Sequence, residues 1–142
     1  MNDDEIEYLE KALNNDNNEN ITNLSFKDVN EKKEYIFKEL KFNKSETKKM
    51  LKKLEDYQYI DELPELQEGR YIRWINITNP DNLRLTNGGV LCEIKIEDSI
   101  ILLLKNNINR IFQVDMDKSL IFQRFSLQEK IILYALDYVN KP

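Results

Sequence analysis

Apolar positions recur at helical spacing near both ends of the chain and at strand spacing between them. Ile6, Leu9, Ala12 and Leu13 form one stripe over Asp3–Leu13, with acids in the first turn, where the helix dipole favours them. Asn14–Asn23 carries no period and reads as a mobile linker. A second helix is predicted from a cap at Asp28 or Asn30 to about Leu40, with Val29, Ile36, Phe37 and Leu40 inward. After the polar turn Lys41–Lys44, Ser45 is the expected cap of a third helix, from Glu46 to about Tyr57. Its buried side is Met50, Leu51, Leu54 and Tyr57, and Pro64 and Gly69 close the helical stretch.

From Arg70 the period drops to two. Arg70–Thr78 reads as a strand, and Asn79-Pro80-Asp81 as a turn. Leu83–Thr86 and Val90–Glu97 flank Asn87-Gly88, a strong hairpin signal because both residues accept positive φ. Val90, Cys92, Ile94 and Ile96 alternate with charged residues and are expected to face the core. Further strands are predicted at Ile100–Lys105, Arg110–Asp115 and Leu120–Phe125, joined by short turns into an antiparallel meander. Ser126 and Glu129 form a capping box for a last helix over Leu127–Val139, apolar around more than half its circumference.

The expected fold is therefore α+β: N-terminal helices in a helix-turn-helix-like pair, a small SH3-like antiparallel β-barrel, and a C-terminal helix packed on it. By segment, 1–24 is an acidic helix with an Asn-rich linker, 25–69 a helical unit, 70–125 the barrel and 126–142 the last helix. A barrel covers only part of the last helix, and the remaining apolar surface predicts a homodimer.

Composition removes several kinds of chemistry. Among 142 residues there is no His, one Cys and three Gly. Ser-His and Cys-His catalysis, imidazole ligation and disulfide pairing within the chain are excluded, and no phosphate-cradling loop is present. The expectation is no enzyme, no cofactor and no metal. No basic-then-apolar leader opens the chain, and Ile100–Leu104 is too short to span a bilayer. An intracellular protein, neither secreted nor in a membrane, is expected.

The net charge of −5 hides a segmented distribution. Residues 1–24 carry seven acids against Lys11, residues 25–53 ten lysines against five acids, and residues 54–69 six acids and no base. Such segregation lets an acidic protein present one basic face. Lys44, Lys48, Lys49, Lys52 and Lys53 are that candidate face, suited to phosphates and therefore to nucleic acid. No Arg, Asn or Gln stands within Glu46–Asp56 to read base edges. Paired carboxylates such as Asp61-Glu62 and Asp115-x-Asp117 lack the spacing of a metal loop, and Cys92 is expected to be a buried, inert thiol. Tyr71, Arg73 and Trp74, with Tyr134 and Tyr138 on the last helix, are the candidate protein-binding residues. Aromatic and Arg side chains of this kind dominate protein interfaces.

The string Leu51–Ile75, together with Asn87-Gly88-Gly89-Val90 and Leu120–Ser126, resembles an uncharacterised small-protein family of giant nucleocytoplasmic large DNA viruses. The resemblance covers about residues 45–140 and is matched by the Asn, Lys and Ile bias of the chain. It implies a viral setting, in host cytoplasm, at replication sites or in the virion, and carries no activity or site residues with it. The leading expectation is a non-enzymatic protein-interaction or scaffold protein with a viral or host protein partner. The alternative is a nucleic-acid-associated factor using the basic helix 46–56.

Overall fold

A computed structural model describes residues 2–15, 18 and 25–139. The elements are α1 (Asp3–Leu13), α2 (Phe26–Glu39), α3 (Lys44–Lys53), β1 (Tyr57–Ile60), β2 (Tyr71–Asn76), β3 (Gly89–Ile96), β4 (Ile100–Lys105), β5 (Ile111–Asp115), β6 (Ser119–Arg124) and α4 (Leu127–Val139). The fold is α+β, with the N-terminal helices and the C-terminal helix where the periodicity predicts them. It divides into two compact units, Met1–Glu55 with Phe125–Pro142, and Asp56–Arg124. The expected division after residue 69 falls instead between 55 and 56.

In the helical unit every α-helix starts on a side-chain cap. Asn2 caps α1, and Ser25/Asp28, Asn43/Glu46 and Ser126/Glu129 form reciprocal boxes at α2, α3 and α4. The predicted box at Ser126 is correct; the caps of α2 and α3 lie earlier than Asp28 and Ser45, because the boxes satisfy two end groups each. Ala12, Val29, Phe125, Ile132 and Leu133 are buried together, with Leu9, Phe26 and Leu136 against them. Within this unit the last helix packs on α1 and α2, with Ala12 of α1 buried at the contact. Residues 16, 17, 19–24 and 140–142, which include most of the expected linker, lie outside the described residues. Of that linker, Asn15 and Asn18 both donate to Oε1 of Gln128, at 2.7 and 3.1 Å. Lys33 is fully buried, and its Nζ donates to the Leu54 carbonyl at 2.7 Å. Leu54 caps the C-terminus of α3, so the ammonium meets the negative end of that helix.

In the strand unit the order is β1-β6-β2-β3-β4-β5, all neighbours antiparallel. The sheet is open, ending at β1 and β5, so the SH3-like barrel is not formed. Nor is it a meander, because β6 inserts between β1 and β2. Tyr57, expected to end the third helix, instead opens an edge strand, Tyr57–Ile60. Tyr57 falls three residues after Leu54 and so mimics the helical stripe, while its own alternation with Gln58, Tyr59 and Ile60 is only four residues long.

Asn87-Gly88 does not turn a hairpin. Ile75 faces Leu85 and Ile72 faces Gly89, three steps on one side against four on the other. The extra residue makes a bulge, and Gly88 takes φ +92° there. A Cβ on Gly88 would lie 2.7 Å from Tyr71 Cε1 and would overlap the Ile72 carbonyl. The reversal is made at Asn79–Asn82, closed by Asn82 N–H to the Asn79 carbonyl at 3.1 Å. A second bulge leaves Cys92 without a partner between Leu91 and Glu93. That flips the parity: Leu91, not Val90 or Cys92, is buried, while Ile94 remains on the core side. Cys92 is exposed, contrary to expectation.

One face of the sheet carries the core of this unit. Ile60, Ile72, Trp74, Leu91, Leu102, Leu104, Val114 and Ile121 are buried there, joined by Leu66 from the β1–β2 connection. The Trp74 and Phe112 rings are 6.0 Å apart, although β3 and β4 lie between their strands. The sheet therefore curls strongly and covers its own apolar face, consistent with two bulges in the β3 region. Gln123, fully buried, accepts from Gln67 N–H at 2.9 Å and donates to the Glu65 carbonyl at 3.1 Å. It anchors the loop that closes this core.

Candidate functional site

The last helix is built to dock and then leaves much of itself uncovered. Its sequence LQEKIILYALDYV supplies apolar residues on all sides, while Glu129, Ile132 and Leu133 alone are fully buried. Leu127, Tyr134, Tyr138 and Val139 are 64%, 65%, 75% and 76% exposed. Tyr134 is held by an edge-on contact with Phe26, ring centres 4.7 Å apart. Between α1 and α4 runs a groove of about 510 Å³, lined by Tyr8, Ile131 and Tyr134 with Asn2, Asp4 and Glu5 at its α1 side. The periodicity places Tyr134 on an apolar surface. It misses Tyr8, Asp4 and Glu5, since nothing in a linear pattern brings the first turn of α1 beside α4.

The basic helix is as exposed as its pattern implies. Lys44, Lys48, Lys49, Lys52 and Lys53 are all exposed on α3, opposite the half-buried Met50 and Leu51. Lys11–Glu7 and Lys27–Glu31 are ion pairs within 4 Å, each one helical turn apart, on α1 and α2. A second groove of about 480 Å³ lies between α2 and α3, with Glu31 and Glu34 on one wall and Lys44 and Lys48 on the other. Its mixed charge makes it a poor track for a polyanion; the exposed side of α3, with five lysines against Glu46, is the more basic surface.

The remaining candidates divide between the two faces of the sheet. Trp74 belongs to the core and is withdrawn as a binding residue, because odd and even positions of a strand face opposite ways. Tyr71 and Arg73 share the other face, yet their polar ends are engaged. The Tyr71 hydroxyl donates to the Asn87 carbonyl and Arg73 Nε to the Thr86 carbonyl, each at 2.8 Å. They hold the bulged segment in place. Tyr57 stands opposite Arg124 on the same face. Burial raises its hydroxyl pKa above the usual value, against the pull of Arg73 and Arg124. The Tyr59 hydroxyl is also raised, by burial and then by the negative charges of Asp61 and Glu65.

Among the described residues no cluster of three or more Cys, Asp or Glu side chains could hold a metal ion, and no helix is long and apolar enough to cross a membrane. The surfaces with unspent chemistry are thus the α1–α4 groove and the lysine face of α3. No protein-family model, no curated protein and no solved structure matches this chain, so its reading rests on these two surfaces.

Proposed function

We propose that this chain is a non-enzymatic interaction or scaffold protein that holds a protein partner on its helical unit. The observation that carries the reading is α4, with Tyr134, Tyr138 and Val139 each at least 65% exposed on an apolar helix. Contiguous exposed apolar surface is unfavourable in water and marks docking sites. The resemblance of Leu51–Ile75 to giant-virus proteins supports a viral or host partner, inside the infected cell or in the virion. A second copy of the chain is the simplest partner. Light scattering over a dilution series tests it: a dimer mass that Tyr134→Ser with Tyr138→Ser reduces to the 17.0 kDa sequence mass supports self-docking. For a different protein, the same double variant should lose the partner that copurifies with wild type from the native source. A copurifying set unchanged by the variant, together with an unchanged mass, would overturn the reading.

The exposed lysines of α3 favour one second reading, association with nucleic acid through phosphates. Reversal of Lys48, Lys49, Lys52 and Lys53 to Glu should then abolish a gel shift that weakens steeply with salt. Absence of a shift for the wild type at about 0.15 M salt would remove this reading.

A further inference from the structure

We infer that the α1–α4 groove takes a basic amphipathic segment of a partner protein. Its apolar side chains would lie on Tyr8, Ile131 and Tyr134, and its Lys or Arg groups would meet Asp4 and Glu5. This rests on the docking reading above and names the chemistry of what docks. The groove of about 510 Å³ has room for several side chains, and its apolar walls come from two helices. Its α1 rim is acidic: Asp4 and Glu5 line it, and positions 2–10 hold Asp3, Asp4, Glu5, Glu7 and Glu10 and no base. Lys11, the first base, is paired with Glu7 at 3.7 Å. An acidic or neutral amphipathic helix would fit the walls equally but would meet this rim with repulsion or with no gain. Two tyrosine rings beside carboxylates also suit a cation, which the ring faces attract.

The probe is a fluorescein-labelled helical peptide of leucine and lysine, compared with its leucine–glutamate counterpart and with oligolysine of equal charge. Binding to the full chain is followed by anisotropy. The leucine–lysine peptide should bind at least about tenfold more tightly than either control, and Tyr8→Ser should weaken it by a similar factor. Asp4→Asn with Glu5→Gln should remove the preference over the glutamate peptide. Tyr134→Ala is a second groove variant; because Tyr134 also touches Phe26, its melting curve is taken alongside, and Tyr8→Ser stands if it unfolds. Equal affinity for both amphipathic peptides, lost on Tyr8→Ser, would overturn the cationic occupant and leave the docking reading intact. Binding indifferent to Tyr8 and Tyr134 would overturn the groove as the site. Failure of both amphipathic peptides to bind would overturn the inference; the docking reading would then stand or fall on the copurification and dilution tests.

Discussion

The two units treat apolar surface in opposite ways. The strand unit curls until Trp74 meets Phe112 and closes a core of nine buried residues on one face. Its exposed apolar residues, such as Ile77, Ile96, Ile108 and Ile111, sit at strand ends, turns and the β5 edge. The helical unit buries fewer apolar side chains, joins them to a buried lysine and glutamate, and leaves Tyr8 and Tyr134 lining one groove. A sheet that bends can bring its own residues over its core, whereas a helix can bury only the stripe that a neighbour reaches. The difference assigns stability chiefly to the strands and unspent surface to the helices.

Truncation of the strand core is the strongest way to break this contrast. Leu102→Ala should cost about 2–5 kcal/mol, read as a lower urea midpoint, because Leu102 is fully buried. Tyr134→Ala, 65% exposed on α4, should cost only the edge-on contact with Phe26, about 0.5–1.5 kcal/mol. Equal losses would mean that α4 is not a spare surface.

Buried polar anchors come next, one in each unit. Lys33→Met should cost about 1–3 kcal/mol by depriving the Leu54 carbonyl of its donor, and Gln123→Leu should cost a similar amount by stranding Gln67 N–H and the Glu65 carbonyl. Hydrogen exchange sharpens the comparison: the first should loosen amides at the end of α3, and the second those of residues 65–67. Exchange spread over both units in either variant would show that the anchors are not local.

Smaller still is the effect of high pH. The tyrosine pKa values at 57 and 59 are raised above 10.0 in the folded chain, so the protonated form is favoured by folding. That contribution is fully present below pH 10.0 and is lost as pH rises through the raised values. Urea midpoints should therefore fall above about pH 10, and less so in Tyr57→Phe. A fall of the same size in Tyr57→Phe and Tyr59→Phe together would place the cause elsewhere.

The smallest expected effect on stability is at Cys92. Cys92→Ser should shift the midpoint by no more than about 0.5 kcal/mol, and the native thiol should react at once with a disulfide reagent, because the residue is exposed at a bulge. A thiol that reacts only on unfolding would restore the alternation that the bulge breaks.

Local pattern alone determined the helices at Asp3–Leu13 and Leu127–Val139, the Ser126/Glu129 cap, the places of β2 to β6 but not the expected strand Leu83–Thr86, of which only a bridge at Leu85 forms, and the exposed lysine face of α3. Each of these depends on neighbours within one or two turns, or on alternation along one strand. Tertiary structure decided the rest. Insertion of β6 between β1 and β2 joins segments far apart in the chain, as the pairing of Tyr59 with Phe122 shows, and no local signal encodes it. The bulges at Gly88 and Cys92 move one residue out of register and reverse which side chains are buried, so alternation read through them gives the wrong face. Trp74 and Tyr71 look alike as aromatic candidates until the pleat sends one to the core and the other to the opposite face. The groove of Tyr8, Asp4, Glu5 and Tyr134 exists only because α1 and α4, from the two ends of the chain, pack side by side, and a side chain's partner across such a distance is set by packing rather than by period.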